Sequence, residues 1–287
     1  MTIRKVLALM FLIIATFIWG ITFPLVKYIL QYLSEFQLLF LRFLFASLIG
    51  IFIVFKGRKY LKNWKNIFYL SLLGLSLYIA FVFQTVGLRY TTPTKSAFIT
   101  GLYIVFTPIL ATFFLKERIK LHYIIALNLS LIGLFFLSNI DLRSLASLNI
   151  GDLLTILCAV AFAFQIVLTE LLVKNMEPLF VTSFEILIAF LFTIPFMVFN
   201  PPVLLNSTLI LSVAFLGIFA SFLAIQAESV SLRYIDSTEA SLIFVLEPVF
   251  AYLFSFIIFR EVLNLKGIIG AFLIIASMVI IAIYNRE

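Results

Sequence analysis

Apolar runs long enough to cross a lipid bilayer occupy most of the chain, and short polar joins separate them. A transmembrane helix needs about 20 apolar residues, because it rises about 1.5 Å per residue across a hydrocarbon core about 30 Å thick. None of the runs shows the ten-residue alternation that is typical of membrane β-strands, so the pattern predicts an all-α membrane protein with ten transmembrane helices. The ten runs cover residues 6–28, 35–55, 67–88, 97–115, 121–138, 151–173, 179–198, 208–230, 238–258 and 265–284.

The second half of the chain repeats the first. Residues 88–121 return as residues 232–265 at an offset of 144, without a gap. In the earlier spans the offset is 143, which pairs Gly74 with Gly217 and Arg42 with Glu185, and one residue is gained near the middle of span three. The chain therefore divides into two repeats, residues 1–140 with spans one to five and residues 150–287 with spans six to ten. Since five is odd, the second repeat is inverted in the membrane, which is a transporter architecture with its site near the midplane.

Composition supports the membrane assignment and removes several other classes. With 64% apolar and 11% charged residues and a mean hydropathy of +1.23, the chain has too little polar surface for a soluble particle. The net charge of +7 comes from basic residues between apolar runs, where they meet lipid headgroups, so it does not indicate nucleic-acid binding. The single cysteine, Cys158, allows no disulfide framework, and the single histidine, His122, allows no multi-histidine metal site. No cofactor is expected.

Basic residues also predict the orientation. In the ten-span interpretation, 13 Lys and Arg lie on the side that holds both termini and six on the other side. Because basic loops stay in the cytoplasm, both termini are predicted to be cytoplasmic in a multi-pass protein of the cell membrane. The five basic residues between 56 and 65 carry much of this bias.

Several short motifs resemble the EamA-type branch of the drug/metabolite transporter superfamily. They lie in both repeats and are Trp19-Gly20, Arg42-Phe43, Thr107-Pro108 with Lys116-Glu117-Arg118, and Leu246-Glu247-Pro248-Val249 with Arg260-Glu261. The resemblance implies a carrier, often an exporter, of small metabolites such as amino acids, working without ATP hydrolysis. Span six departs from the family pattern, because Phe162 stands where span one has Trp19, and this puts an aromatic platform in the second repeat in doubt.

The best polar face within a span belongs to span four. Ser96, Thr100, Tyr103 and Thr107 follow one another at spacings of four, three and four, which places them on one side of a helix. The offset pairs Tyr103 with Glu247, so the two residues are expected to face each other across a binding cavity. The alternative is structural: the hydroxyls bond their own preceding turn, and Glu247 caps backbone groups freed by Pro248.

Further polar and aromatic side chains within the spans are candidates for contact with a small-molecule substrate. Gln84 and its repeat mate Glu228 lie near span ends and could instead snorkel to the interface. Gln165 lies on a face that lines a cavity or packs on a neighbour. Trp19 and Tyr78 could form an aromatic wall. By contrast, Arg42 and Glu185 are read as a structural pair or anchor.

These patterns favour a secondary transporter that moves small metabolites by alternating access, through a cavity walled by spans one, three, four, six, eight and nine. An intramembrane aspartyl enzyme is excluded, since Asp141, Asp152 and Asp236 lie in loops or at span ends. An ATP-driven pump is excluded because no phosphate-binding glycine loop is present. A passive channel or a non-transporting membrane subunit remains the alternative. Proton coupling through Glu247 and exchange without an ion are both compatible with the sequence.

Overall fold

The computed structural model describes residues 3–116, 120–137, 149–197, 206–260 and 265–284. Within these ranges the regular structure is helical, and no strand occurs. A short 3₁₀ turn, Arg58–Lys62, precedes the third helix, and a π-helix, Leu216–Leu223, joins α9 to α10. The α-helices are α1 Ile3–Ile29, α2 Glu35–Lys56, α3 Trp64–Tyr90, α4 Pro93–Thr100, α5 Tyr103–Phe114, α6 Leu121–Leu137, α7 Ile150–Val173, α8 Pro178–Met197, α9 Ser207–Phe215, α10 Ala224–Ser231, α11 Ser237–Phe244, α12 Leu246–Phe259 and α13 Leu265–Tyr284.

Eight helical stretches of the described chain are long and apolar enough to cross a membrane. Three of them are continuous runs of shorter helices: Pro93–Phe114, Ser207–Ser231 and Ser237–Ile258. The remaining two predicted spans correspond to shorter apolar helices, at Leu121–Leu137 and in the last predicted run. The all-helical membrane class is thus confirmed, while the count of ten membrane crossings stays a prediction.

The ends of several helices follow from local capping residues. Ser34 and Gln37 form a capping box at the start of α2, and Asn149 and Asp152 form another at the start of α7. Each box satisfies backbone N–H groups that have no partner inside the helix. Asp236 caps α11 by accepting a hydrogen bond from the backbone of Glu239.

Spans four and nine are each interrupted within their length. Span four breaks at Gly101 and Leu102, between α4 and α5, and span nine breaks at Val245, between α11 and α12. The offset of 144 places Gly101 and Val245 at equivalent positions. The prolines differ, because Pro108 lies inside α5 whereas Pro248 lies in the first turn of α12, where the missing N–H costs little. A Cβ added to Gly101 would lie 3.2 Å from Pro248 Cγ, so the two breaks meet.

Two close glycine contacts join the two halves, and the repeat offset relates one contact to the other. A Cβ on Gly74 would lie 2.8 Å from the carbonyl oxygen of Glu185, and a Cβ on Gly217 would lie 2.6 Å from that of Arg42. Span three therefore packs on α8 as span eight packs on α2. Helices α6 and α13 also join the two halves, and Ser130 and Ser277 share a hydrogen bond of 2.6 Å there.

Some sequence predictions fall outside the described residues. They concern Glu117, Arg118 and Glu261 of the two loop clusters, Asp141 in the join between the repeats, and the outer limits of the two repeats.

Candidate functional site

A central cavity lies between the helices of the two halves. The six predicted spans wall it, and span two contributes Arg42 in addition. Seven aromatic or aliphatic residues and seven polar or charged residues line it. The lining residues are Trp19, Phe81, Phe162 and Phe244; Leu77, Ile166 and Ile225; and Thr22, Arg42, Gln84, Tyr103, Gln165, Glu228 and Glu247.

Tyr103 and Glu247 meet in this cavity, as the repeat predicts. The Tyr103 hydroxyl donates a hydrogen bond of 3.1 Å to Glu247 Oε2, and both residues are buried. Tyr103 is the first residue of α5 and Glu247 is the second residue of α12, so both follow a helix break. The starts of α5 and α12 therefore lie next to each other at the cavity.

Gln84, Gln165 and Glu228 also line the cavity. All three are buried, and Glu228 is only 2% exposed, so the snorkelling alternative for Gln84 and Glu228 is wrong. Gln165 Nε2 donates to Glu185 Oε1 at 2.9 Å, which places Glu185 directly behind the wall. The predicted packing face of span six is thus also a cavity face.

Trp19 lies in the wall, but Tyr78 does not. Trp19 packs edge-on against Phe244, with ring centroids 5.2 Å apart. Tyr78 instead stacks on Phe192 of α8, with centroids 5.6 Å apart. The predicted aromatic wall therefore forms from Trp19 and phenylalanines, since Tyr78 lies on the face of span three that packs against α8.

The hydroxyl face of span four is divided by the helix break. Ser96 and Thr100 belong to α4, whereas Tyr103 and Thr107 belong to α5, and only Tyr103 lines the cavity. The interruption at Gly101 and Leu102 separates the first pair from the second. The Oγ atoms of Ser96 and Thr107 are buried and find no hydrogen-bond partner among the described residues, so they do not bond their preceding turn.

Arg42 is the cavity residue that the sequence interpretation placed elsewhere. Its side chain is 1% exposed, so it does not reach the headgroups as an anchor. The guanidinium carbon lies 4.1 Å from the Phe81 ring centroid, and Nε donates to Ser221 Oγ at 2.7 Å. Depth along a helix, which suggested the anchor, does not determine which face a residue occupies. The feature of the sequence that could have indicated the inward position of Arg42 is the repeat offset, which pairs it with the equally buried Glu185.

The π-helix explains both the change of offset and the position of Arg42. The offset changes from 143 to 144 between Gly217 and Glu228 of the second half, where Leu216–Leu223 forms the π-helix. One extra residue in a helix is commonly accommodated as a π-bulge, often at a functional site. Trp19 Nε1 donates to the carbonyl oxygen of Ala220 at 2.8 Å, and Ser221 receives Arg42. The extra residue thus lies in span eight, not in span three, and the π-helix that holds it supplies acceptors for two cavity side chains.

The comparisons with known proteins agree with this architecture. A family model described as the EamA-like transporter family matches the chain twice, over residues 6–139 and 149–283. The chain belongs to the EamA-like transporter family. The resemblance seen in the motifs is thereby confirmed, and the chain is a membrane protein of a transporter family.

Individual EamA-like relatives cover nearly the whole chain. An uncharacterised transporter of Archaeoglobus fulgidus is 32% identical over 284 residues, which are 98% of this chain and 87% of the relative. An S-adenosylmethionine uptake transporter of Rickettsia bellii is 26% identical over 265 residues, which are 91% of this chain and 88% of the relative. A solved crystal structure shares the fold, with a TM-score of 0.77 at 18% identity, covering 97% of both chains.

Proposed function

We propose that this protein is a secondary transporter that carries small organic metabolites through the central cavity by alternating access. The observation that carries the proposal is the buried polar group of Arg42, Tyr103, Glu228 and Glu247 at the meeting point of two broken helices. Polar groups are costly at this depth, and carriers place their substrate sites where discontinuous helices meet near the membrane centre. The reciprocal glycine contacts support two inverted five-helix repeats.

Two ion pairs at opposite ends of the bundle supply the gates that alternating access needs. At one end Lys95 in the first turn of α4 lies 2.7 Å from Asp152 in the first turn of α7. At the other end Lys5 in the first turn of α1 lies 2.9 Å from Glu239 in the first turn of α11. Lys95 and Glu239 are repeat mates, so equivalent positions of the two repeats carry opposite charges in the two latches. Each latch joins one repeat to the other, and opening one end requires breaking one latch.

The proposed orientation puts both termini and the Lys5–Glu239 latch in the cytoplasm, supported by the excess of basic residues on that side. Export of amino acids or similar metabolites is the direction that the family resemblance implies. The Rickettsia relative is named for uptake. We propose that the solute gradient sets the direction of transport, since a carrier with an ion-pair latch at each end can transport in both directions.

Proton coupling through Glu247 is the mechanism we test first. The Glu247 carboxylate accepts a hydrogen bond from the Tyr103 hydroxyl. Protonation or deprotonation of Glu247 therefore changes the contact between α12 and α5. Glu247→Gln should abolish the pH dependence of uptake into proteoliposomes, while Glu35→Gln, outside the cavity, should keep it. Unchanged transport with unchanged pH dependence in Glu247→Gln would rule out the coupling and leave exchange without an ion.

Counterflow distinguishes a carrier from the remaining alternatives. Proteoliposomes preloaded with unlabelled solute should transiently concentrate the labelled solute, and the rate should saturate. A passive channel would equilibrate the label without an overshoot, and a structural subunit would move none. A panel of amino acids and related small metabolites, including S-adenosylmethionine, is the first set to screen.

A further inference from the structure

The cavity has more acidic than basic groups. Among its lining residues that the structure describes, Arg42 is the one cation, and Glu228 and Glu247 are the carboxylates. Arg42 donates one of its five N–H groups to Ser221 Oγ, and its guanidinium lies over the Phe81 ring. Glu247 is held by Tyr103. Glu185, immediately behind the wall, adds a third carboxylate without adding a cation.

Glu228 has an oxygen that lacks a donor. Its Oε1 is buried and has no hydrogen-bond partner among the described residues. The Gln165 amide lies within hydrogen-bonding reach of the Glu228 carboxyl, but its Nε2 donates to Glu185 Oε1 at 2.9 Å and to Thr169 Oγ1 at 3.2 Å. A buried carboxylate oxygen without a partner costs free energy comparable to a lost charged hydrogen bond. The cavity therefore lacks one cationic or strongly polar donor at Glu228.

The aromatic part of the cavity wall suits the carbon skeleton of a molecule that carries such a donor. Trp19, Phe162 and Phe244 surround the space with aromatic rings, and an aromatic face attracts a cation. An organic ammonium group provides both interactions, because it donates to a carboxylate while its carbon skeleton packs on the rings. An anion of the same size would instead lie beside two carboxylates and could pair with only one cation, Arg42.

We infer that the cavity selects small organic solutes that carry an ammonium group, and that Glu228 Oε1 accepts a hydrogen bond from that group. This inference rests on the proposed function for the role of the cavity as the substrate path. It makes Glu228 a specificity-determining residue, whereas Glu247 is proposed for coupling.

Tryptophan fluorescence tests the inference without any transport assay. The chain has two tryptophans, of which Trp19 lines the cavity and Trp64 is 70% exposed, so Trp64→Phe leaves a single reporter in the wall. The purified Trp64→Phe protein is titrated with three probes of matched size: 2-phenylethylammonium, 2-phenylethanol and 3-phenylpropanoate. The ammonium probe is expected to bind at least about tenfold more tightly than the alcohol, and the carboxylate more weakly than both.

Glu228→Gln in this background should remove the advantage of the ammonium probe and leave the affinity for the alcohol unchanged. Glu35→Gln, at an exposed ion pair outside the cavity, is the matched control and should keep the advantage. If Glu228→Gln also loses the alcohol, the shortened Glu228→Asp is used, and it should show a reduced but present preference for ammonium. Equal binding of the three probes, no binding of any, tighter binding of the carboxylate, or an undiminished preference in Glu228→Gln would each overturn the inference.

Failure of the inference and failure of the proposed function give different results. Ammonium-selective binding with no counterflow of any solute would reject the transporter and keep the selectivity of the cavity. Saturable counterflow of anionic solutes that is indifferent to Glu228→Gln would keep the transporter and reject the selectivity.

Discussion

Removing Lys95 should open the end of the bundle where α4 meets α7. Asp152 is fully buried, and its carboxylate accepts from Lys95 Nζ at 2.7 Å, from the Asn149 backbone N–H at 3.1 Å and from the Thr91 hydroxyl at 3.3 Å. Lys95→Met deletes the charged donor but leaves the other two. A hydrogen bond to a charged group contributes about 1.5–3 kcal/mol, and the partial exposure of Lys95 lowers this to about 1–2 kcal/mol. The open form should then gain roughly 5- to 30-fold in population.

The only cysteine of the chain reports this opening. Cys158 is buried on α7, six residues or about 9 Å along the helix from Asp152, and its thiol lies against Thr100 of α4. Separation of α4 from α7 exposes the thiol, so the rate of alkylation by N-ethylmaleimide follows the open population. We expect that rate to rise about tenfold in Lys95→Met under native conditions.

Lys5→Met, at the opposite latch, is the control. It loosens the other end of the bundle, so the alkylation of Cys158 should stay at the wild-type rate or fall. Equal acceleration in both variants would indicate general destabilisation, and no acceleration in Lys95→Met would show that the Lys95–Asp152 pair does not hold the gate. Either result refutes the latch mechanism.

Two further predictions concern stability. A Cβ at Gly20 would lie 2.4 Å from Phe250 Cβ, whereas one at Gly101 would come no closer than 3.2 Å to any neighbour, so Gly20→Ala should cost about 1–3 kcal/mol and lower the melting temperature more than Gly101→Ala. Equal melting temperatures would contradict the close packing of α1 on α12. Between two spans, burial raises the pKa of the Asp236 carboxyl above its ordinary value of 3.8. The folded state therefore binds a proton at Asp236 more tightly than the unfolded state does. This contribution to the free energy of unfolding is lost as pH rises through the raised pKa. Asp236→Asn retains a capping side chain, so its melting temperature relative to wild type should increase from acidic to neutral pH; a decrease would contradict the assignment.

Hydrophobic patterning was sufficient for the class of fold because lipid imposes a strong constraint. Every backbone polar group must be paired inside a span, so a run of about 20 apolar residues specifies a helix with little dependence on its neighbours. The internal offset was informative for a related reason. Since equivalent residues of two packed repeats contact each other reciprocally, the offset alone paired Tyr103 with Glu247, and the structure has that hydrogen bond.

The position of individual side chains around the cavity was decided by tertiary structure. Helical spacing grouped Ser96, Thr100 and Thr107 with Tyr103, but the break at Gly101 and Leu102 separates them, and spacing arguments hold only along an unbroken helix. Arg42 shows the converse, since depth in a span suggested an anchor, while packing against Phe81 directs it inward.

The sequence by itself determined the helical membrane class, the duplication and the residue pair at the centre of the bundle, because periodicity and apolar length are properties of the chain alone. Only the tertiary structure decided where spans four and nine break, that the inserted residue forms a π-helix, and which polar groups share one cavity. Those features depend on contacts between helices distant in sequence, such as Gly101 with Pro248 and Arg42 with Ser221, and no local pattern encodes them.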